Sequence, residues 1–180
     1  MNPQKFTQKS LEAIHDAQSL AIQNQNMQIE QQHLLCALVE QEDGLIGQML
    51  IKMGIDRAGF LRDVQQEVAK LPGVSGPGRE PNKIYVSPEV DRTLTYAETL
   101  AERMKDEYVS VEHIMLALLE HPNSALRELM RRHGISRDNF LSTLARVRGN
   151  TRVTSDMPEE TYDALKKYGS DLVELARNHK

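Results

Sequence analysis

Residues 30–40, Glu-Gln-Gln-His-Leu-Leu-Cys-Ala-Leu-Val-Glu, return 80 positions later as Ser-Val-Glu-His-Ile-Met-Leu-Ala-Leu-Leu-Glu at 110–120. Leu34, Leu35 and Leu38 share one face of a helix, and Ile114, Met115 and Leu118 repeat that face. His33 and His113 stand at the same point of the two stretches. Working outward, the register holds without a gap from Phe6/Val86 to Val68/Arg148. Ala17 meets Ala97, Leu20 meets Leu100, Gly54-Ile55 meet Gly134-Ile135, and Phe60-Leu61 meet Phe140-Leu141. A duplicated helical unit places its natural special surface at the seam between the copies.

Each copy reads as four helices. The first is predicted over 8–24 and again over 88–105, where Val90, Leu94, Ala97, Ala101 and Met104 fall on one face. Thr7 and Ser87 occupy the N-cap position, where a hydroxyl accepts from an unpaired backbone N–H, and Pro88 takes the favoured first helical site. The second is predicted over 31–41 and 111–121. The third ends at Gly54 or Gly134, and Asp56 or Ser136 then caps the fourth. Phe60, Leu61, Val64 and Val68 give that last helix its apolar stripe, echoed by Phe140, Leu141 and Leu144. The expected fold is all-α: two tandem four-helix repeats, 6–70 and 86–148, packed with pseudo-twofold symmetry around one shared core. They form a domain over 1–149. A linker and a further helix are expected over 150–180, with Leu165, Tyr168, Leu172 and Leu175 as that helix's apolar stripe.

Composition narrows the function classes. The net charge of −4 argues against a general polyanion binder, because non-specific nucleic-acid affinity comes from phosphate neutralisation by Lys and Arg. Arg127, Arg131, Arg132, Arg137, Arg146, Arg148 and Arg152 crowd the end of the second copy, but Phe140 among them belongs to the apolar stripe and no aromatic series interleaves with them, so they read as a solvated face. Nothing in the sequence approaches the ~20 apolar residues that cross a bilayer, and 1–25 lacks the apolar segment of a signal peptide. A soluble, cytoplasmic protein is expected, with no membrane and no nucleic acid among its partners. The single cysteine, Cys36, lies in an apolar run and reads as a core residue.

Motifs for chemistry are absent or weak. Gly73-Val-Ser-Gly-Pro-Gly78 has the glycine spacing of a phosphate loop, yet Arg79-Glu80 replaces the Lys and Ser or Thr that such a loop needs. It reads as a hinge between the copies. His15, His33, His113, His121, His133 and His179 form no metal-ligand spacing, and His33 and His113 read as partly buried structural residues. No catalytic residue, metal or cofactor is expected in this segment.

With the copies laid out, the chain resembles the amino-terminal domain of the Clp family of AAA+ unfoldases, and within it the ClpB disaggregases. The resemblance rests on Asp16-Ala17-Gln18-Ser19-Leu20-Ala21, Ile29-Glu30-Gln31-Gln32-His33-Leu34, Leu71-Pro72-Gly73-Val74-Ser75-Gly76, Val109-Ser110-Val111-Glu112-His113, and Ala164-Leu165-Lys166-Lys167-Tyr168-Gly169-Ser170-Asp171-Leu172. It covers essentially the whole chain. It implies a hexameric ATP-driven machine that extracts aggregated polypeptides together with the DnaK chaperone system, with ATP and magnesium held in ATPase modules outside this segment. This domain would engage unfolded or aggregated protein first, and the isolated fragment would be a monomer. The resemblance carries substrate contacts onto Thr7, Asp106 and Glu112, and an apolar groove onto Leu94, Tyr96, Leu100 and Tyr108, with His113 standing where relatives often have an apolar residue. The alternatives are a dock for a folded adaptor protein or a helical nucleic-acid binder.

Overall fold

The computed structural model describes residues 1–74, 84–149 and 151–161. Among the described residues eight helices follow in order: α1 Gln8–Gln23, α2 Gln31–Glu40, α3 Leu45–Lys52, α4 Arg57–Ala69, α5 Pro88–Arg103, α6 Val111–Glu120, α7 Ser124–His133 and α8 Arg137–Arg148. Short 3-10 turns lie at Pro3–Lys5 and Pro158–Thr161. The expected glycine hinge and terminal helix lie largely outside the described residues.

The caps are those read from the sequence. Thr7, Asp56, Ser87 and Ser136 each accept a backbone N–H of the first helical turn that follows them. Gly54 and Gly134 adopt φ of 76° and 70°, the left-handed conformation that closes α3 and α7 at no steric cost to a residue lacking Cβ.

The quoted stretches become α2 and α6, and both are enclosed: Gln31 to Val39 and Val111 to Leu118 are buried without interruption. A helix hydrophobic all round belongs at the centre of a core. α1 packs on α2 and α5 on α6, while α2 meets α6 and α7, α3 meets α6 and α8, and α4 meets α7. One continuous apolar cluster therefore runs through both copies.

The seam is stitched reciprocally. Phe6 pairs with Val109 in a parallel bridge, and their counterparts Val86 and Ile29 pair in the same way. Thr7 N–H donates to Val109 carbonyl and Ser87 N–H to Ile29 carbonyl, each at 3.0 Å. Each copy thus lends the segment before its first helix to the turn before the other copy's second helix. These are the self-complementary contacts that a twofold relation requires.

Thr151 to Asp156, expected as the start of a linker, packs against the domain. Val153 is fully buried, Glu107 N–H donates to its carbonyl at 2.8 Å, and Gln8 N–H donates to Asp156 carbonyl at 3.0 Å. The run of small and polar residues concealed this strap because its bonds are mainly backbone bonds, which side-chain composition does not reveal.

Candidate functional site

Six of the nominated residues lie inside the protein, the polar ones being Thr7, Asp106, Glu112 and His113. Thr7 Oγ accepts from Ser10 N–H at 3.2 Å and donates to Ser10 Oγ at 2.9 Å, and Ser10 in turn donates to Val109 carbonyl. His113 is the third residue of α6. Its Nδ1 accepts the backbone N–H of Ser110 at 2.8 Å, which leaves the proton on Nε2, 2.7 Å from Asp106 Oδ2. Asp106 also receives both Nη groups of Arg148 and the Val153 N–H, and Arg148 Nη1 lies 3.8 Å from Glu112.

Burial acts against the charged form of Asp106, but bonds from His113, Arg148 and Val153 outweigh it and hold the carboxyl well below the usual carboxylate range. The cluster ties the turn before α6 to the end of α8 and to the strap. Thr7, Glu112 and His113 are fully buried and Asp106 nearly so, which makes them the support of the turn that carries Tyr108.

Leu94 and Leu100 face the core because they share the buried face of α5 with Val90, Ala97 and Ala101. Tyr96 and Tyr108 are half-buried and reach the surface. Tyr108 lies on the α5–α6 turn. Tyr96 lies in an open groove of about 490 Å³ where α5, the end of α6 and the start of α7 meet Gln31 of the first copy. Its ring meets His121 edge-on at 4.6 Å, and Arg103 stands over it at 5.9 Å.

Gln31, which sequence reasoning passed over, holds the groove floor. Its amide donates to Thr93 Oγ and to His121 carbonyl and accepts from Asn123 N–H at 2.8 Å. The walls carry Glu89, Arg92, Glu120 and Arg127, so the groove is more charged than the apolar furrow the sequence suggested.

Arg148 was also missed as a partner of Asp106, although a signal was available. It occupies the register position of Val68 in an apolar stripe, and an arginine on a buried face requires an acid nearby. Among the described residues, no three His, Cys, Asp or Glu side chains gather as a metal site would require, and no helix is long and apolar enough to cross a membrane.

Residues 5–133 match the Clp repeat (R) N-terminal domain family. The chain is 45% identical, over 98% of its length, to the chaperone protein ClpB of Nitratidesulfovibrio vulgaris, of which it spans 20%. In fold it is similar to the Hsp104 N-terminal domain from Candida albicans, with a TM-score of 0.75 and 27% identity over 86% of this chain and 99% of that one. A ClpV N-domain solved in complex with a VipB peptide shares the fold alone, with a TM-score of 0.61 and 22% identity over 78% of this chain and 85% of that one. The chain spans about a fifth of the length of the curated relatives it matches.

Proposed function

Because the chain belongs to the Clp repeat (R) N-terminal domain family, we propose that it is the substrate-engaging domain of a ClpB-type disaggregating chaperone, binding unfolded polypeptide where its two repeats meet. The observation that carries this reading is the open groove at the junction with Tyr96 in its wall. An aromatic ring half-exposed in a groove can take up side chains that folded proteins conceal. Tyr108 offers a second contact on the same repeat. Leu94 and Leu100 back the helix that bears Tyr96, while Thr7, Asp106, Glu112 and His113 fix the turn that bears Tyr108. The remainder of the protein would supply the ATPase modules, with their ATP and magnesium, the hexameric ring and the cooperation with DnaK in the cytoplasm. Six such domains on one ring would raise the effective concentration of weak sites.

The test is binding of residues 1–180 to one model protein in denatured and folded form. The denatured form should bind and the folded form should not, with Tyr96→Ser weakening capture at an unchanged melting temperature. Equal binding of both forms, or capture indifferent to Tyr96→Ser and Tyr108→Ser alike, overturns the reading. A second reading, docking of a dedicated adaptor, is favoured by the peptide held on the ClpV N-domain of the same fold. It would show as tight binding of one folded partner with no affinity for denatured chains.

A further inference from the structure

The duplication supplies an internal control for the groove. Residues that the fold requires should recur in both copies; those that appear in one copy alone, where a cavity opens, need another reason. In the first copy the positions equivalent to His121, Arg92 and Arg127 are Gln41, Glu12 and Gly47. Gln41 is buried there, and its amide donates to Lys9 carbonyl at 2.7 Å, bridging the two walls. Glu12 pairs with Lys9 at 3.6 Å. A Cβ on Gly47 would lie 2.5 Å from Arg57 Nε, because Arg57 reaches across that helix to the Val39 carbonyl. The first copy thus closes the α1 side of its own version of the groove and keeps only a smaller cavity, about 240 Å³, beside Gln41, Gly47 and Arg57.

In the second copy each filling element is absent. His121 turns against Tyr96 instead of spanning the walls. Arg137, the counterpart of Arg57, pairs with Glu120 at 3.0 Å. Arg92 and Arg127 are exposed on opposite walls, and neither makes an ion pair among the described residues; Arg127 has only a long bond to Pro122 carbonyl at 3.5 Å. Glu120 is paired with Arg137 through one oxygen, whereas Glu89 accepts only the neutral Asn123 amide and keeps its charge, so Arg92, Arg127 and Arg137 stand against the two carboxylates Glu89 and Glu120. The charge left over is positive, and it flanks an aromatic pair.

We propose that this groove selects polypeptide segments in which acidic side chains neighbour an apolar one, the carboxylates meeting Arg92 and Arg127 while the apolar side chain covers Tyr96. The proposal rests on the polypeptide-capture reading above and names the substrate class of that site. Arginine suits this role because its planar fork meets a carboxylate through two parallel bonds.

The test uses residues 1–180 and fluorescent peptides of one apolar sequence carrying aspartates, asparagines or lysines at the same positions. The aspartate peptide should bind about tenfold more tightly than its asparagine twin, and added salt should compress that difference. Arg92→Gln with Arg127→Gln should bring the aspartate peptide down to the asparagine level. Arg92→Glu with Arg127→Glu should invert the preference toward lysine. Equal affinities for the aspartate and asparagine peptides, with Tyr96→Ser still weakening both, overturn acid selection and leave capture standing. Failure of every peptide and of denatured protein to bind overturns both. Displacement of the aspartate peptide by a short DNA duplex assigns the arginines to phosphates and overturns the proposal.

Discussion

His113 Nε2 lies 2.7 Å from Asp106 Oδ2, and 80 residues earlier His33 Nε2 lies 2.7 Å from Asn26 Oδ1. In both copies Nδ1 accepts the N-cap backbone N–H, of Glu30 or of Ser110, so the proton stands on Nε2 and is donated back to the preceding turn. The device is the same, but its acceptor is a neutral amide in one copy and a carboxylate in the other. Asn26 uses its amide to bind Leu71 and Pro72 carbonyls after α4; Asp106 uses its charge to bind Arg148 and the strap after α8.

Asp106→Ala is therefore expected to be the most damaging single change to a polar residue here. It deprives Arg148 of two charged hydrogen bonds inside the protein and leaves His113 and Val153 donors unmet, a loss of about 3–5 kcal/mol. Asn26→Ala, which breaks neutral bonds alone, should cost about 1–3 kcal/mol. Urea unfolding of the two variants side by side checks the order, and equal losses would contradict it.

Acid should weaken the fold in two stages. Burial pushes the His33 imidazole from 6.5 down to about 4, so between those values the unfolded chain takes a proton that the folded one refuses. Stability is thus present above pH 6.5 and lost as pH falls toward 4, by about 3 kcal/mol. Asp106 has the same sign in a lower window: its folded value lies below the ordinary 3.8, so its contribution is present above 3.8 and disappears as pH falls further. Unfolding free energies measured from pH 7 to pH 4 should show the first decline, and His33→Gln should flatten it. A profile unchanged by that substitution would remove His33 as its source.

Most of the fold was legible because the period of the apolar residues and the caps agreed. Thr7, Asp56, Ser87 and Ser136 marked four helix starts, and Gly54 and Gly134 marked two ends. Leu94 and Leu100 were harder to place. Apolar residues on an amphipathic helix announce that they meet something, and the same pattern serves a core and an open furrow. The groove was legible only in part: the resemblance pointed to Tyr96, but Gln31, Arg92 and His121 come from three elements, and only their packing shows that the second copy opens wider than the first. Arg148 differs from these. Its break in the stripe shared with Val68 could be read from sequence, but its acid could be found only in space.

Thr7 has its hydroxyl spent on capping α1 and on Ser10, which itself reaches across the seam to Val109. Thr7→Ala should cost about 1–2 kcal/mol. Polypeptide binding per folded molecule should stay as it was. Ser87→Ala, the equivalent cap on α5, should cost a similar amount. Melting curves paired with binding at a temperature well below both transitions separate the roles, and lost binding at full stability would make Thr7 a contact.

The strap gives the last test. Val153 is sealed beneath Asp106 and the α5–α6 turn, with its carbonyl bound by Glu107 and its N–H by Asp106, and Gln8 holds Asp156 through both backbone and side chain. Val153→Asp would place a second carboxylate against Asp106 in a site with no water to screen it. The strap should then leave while the helices remain, because the substitution strikes a segment with few apolar contacts beyond its one buried valine. The expected loss is about 1.5–3 kcal/mol, the value of burying that side chain. Amide exchange should locate the change: the Glu107 and Val153 N–H groups should lose protection, as should Gln8, while those in the middle of α2 and α6 keep theirs. If the Glu107 amide stays protected in the variant, the strap does not depend on Val153, and its hold on the domain comes from the Gln8 bonds to Asp156 and the Arg148 bonds to Thr151 instead.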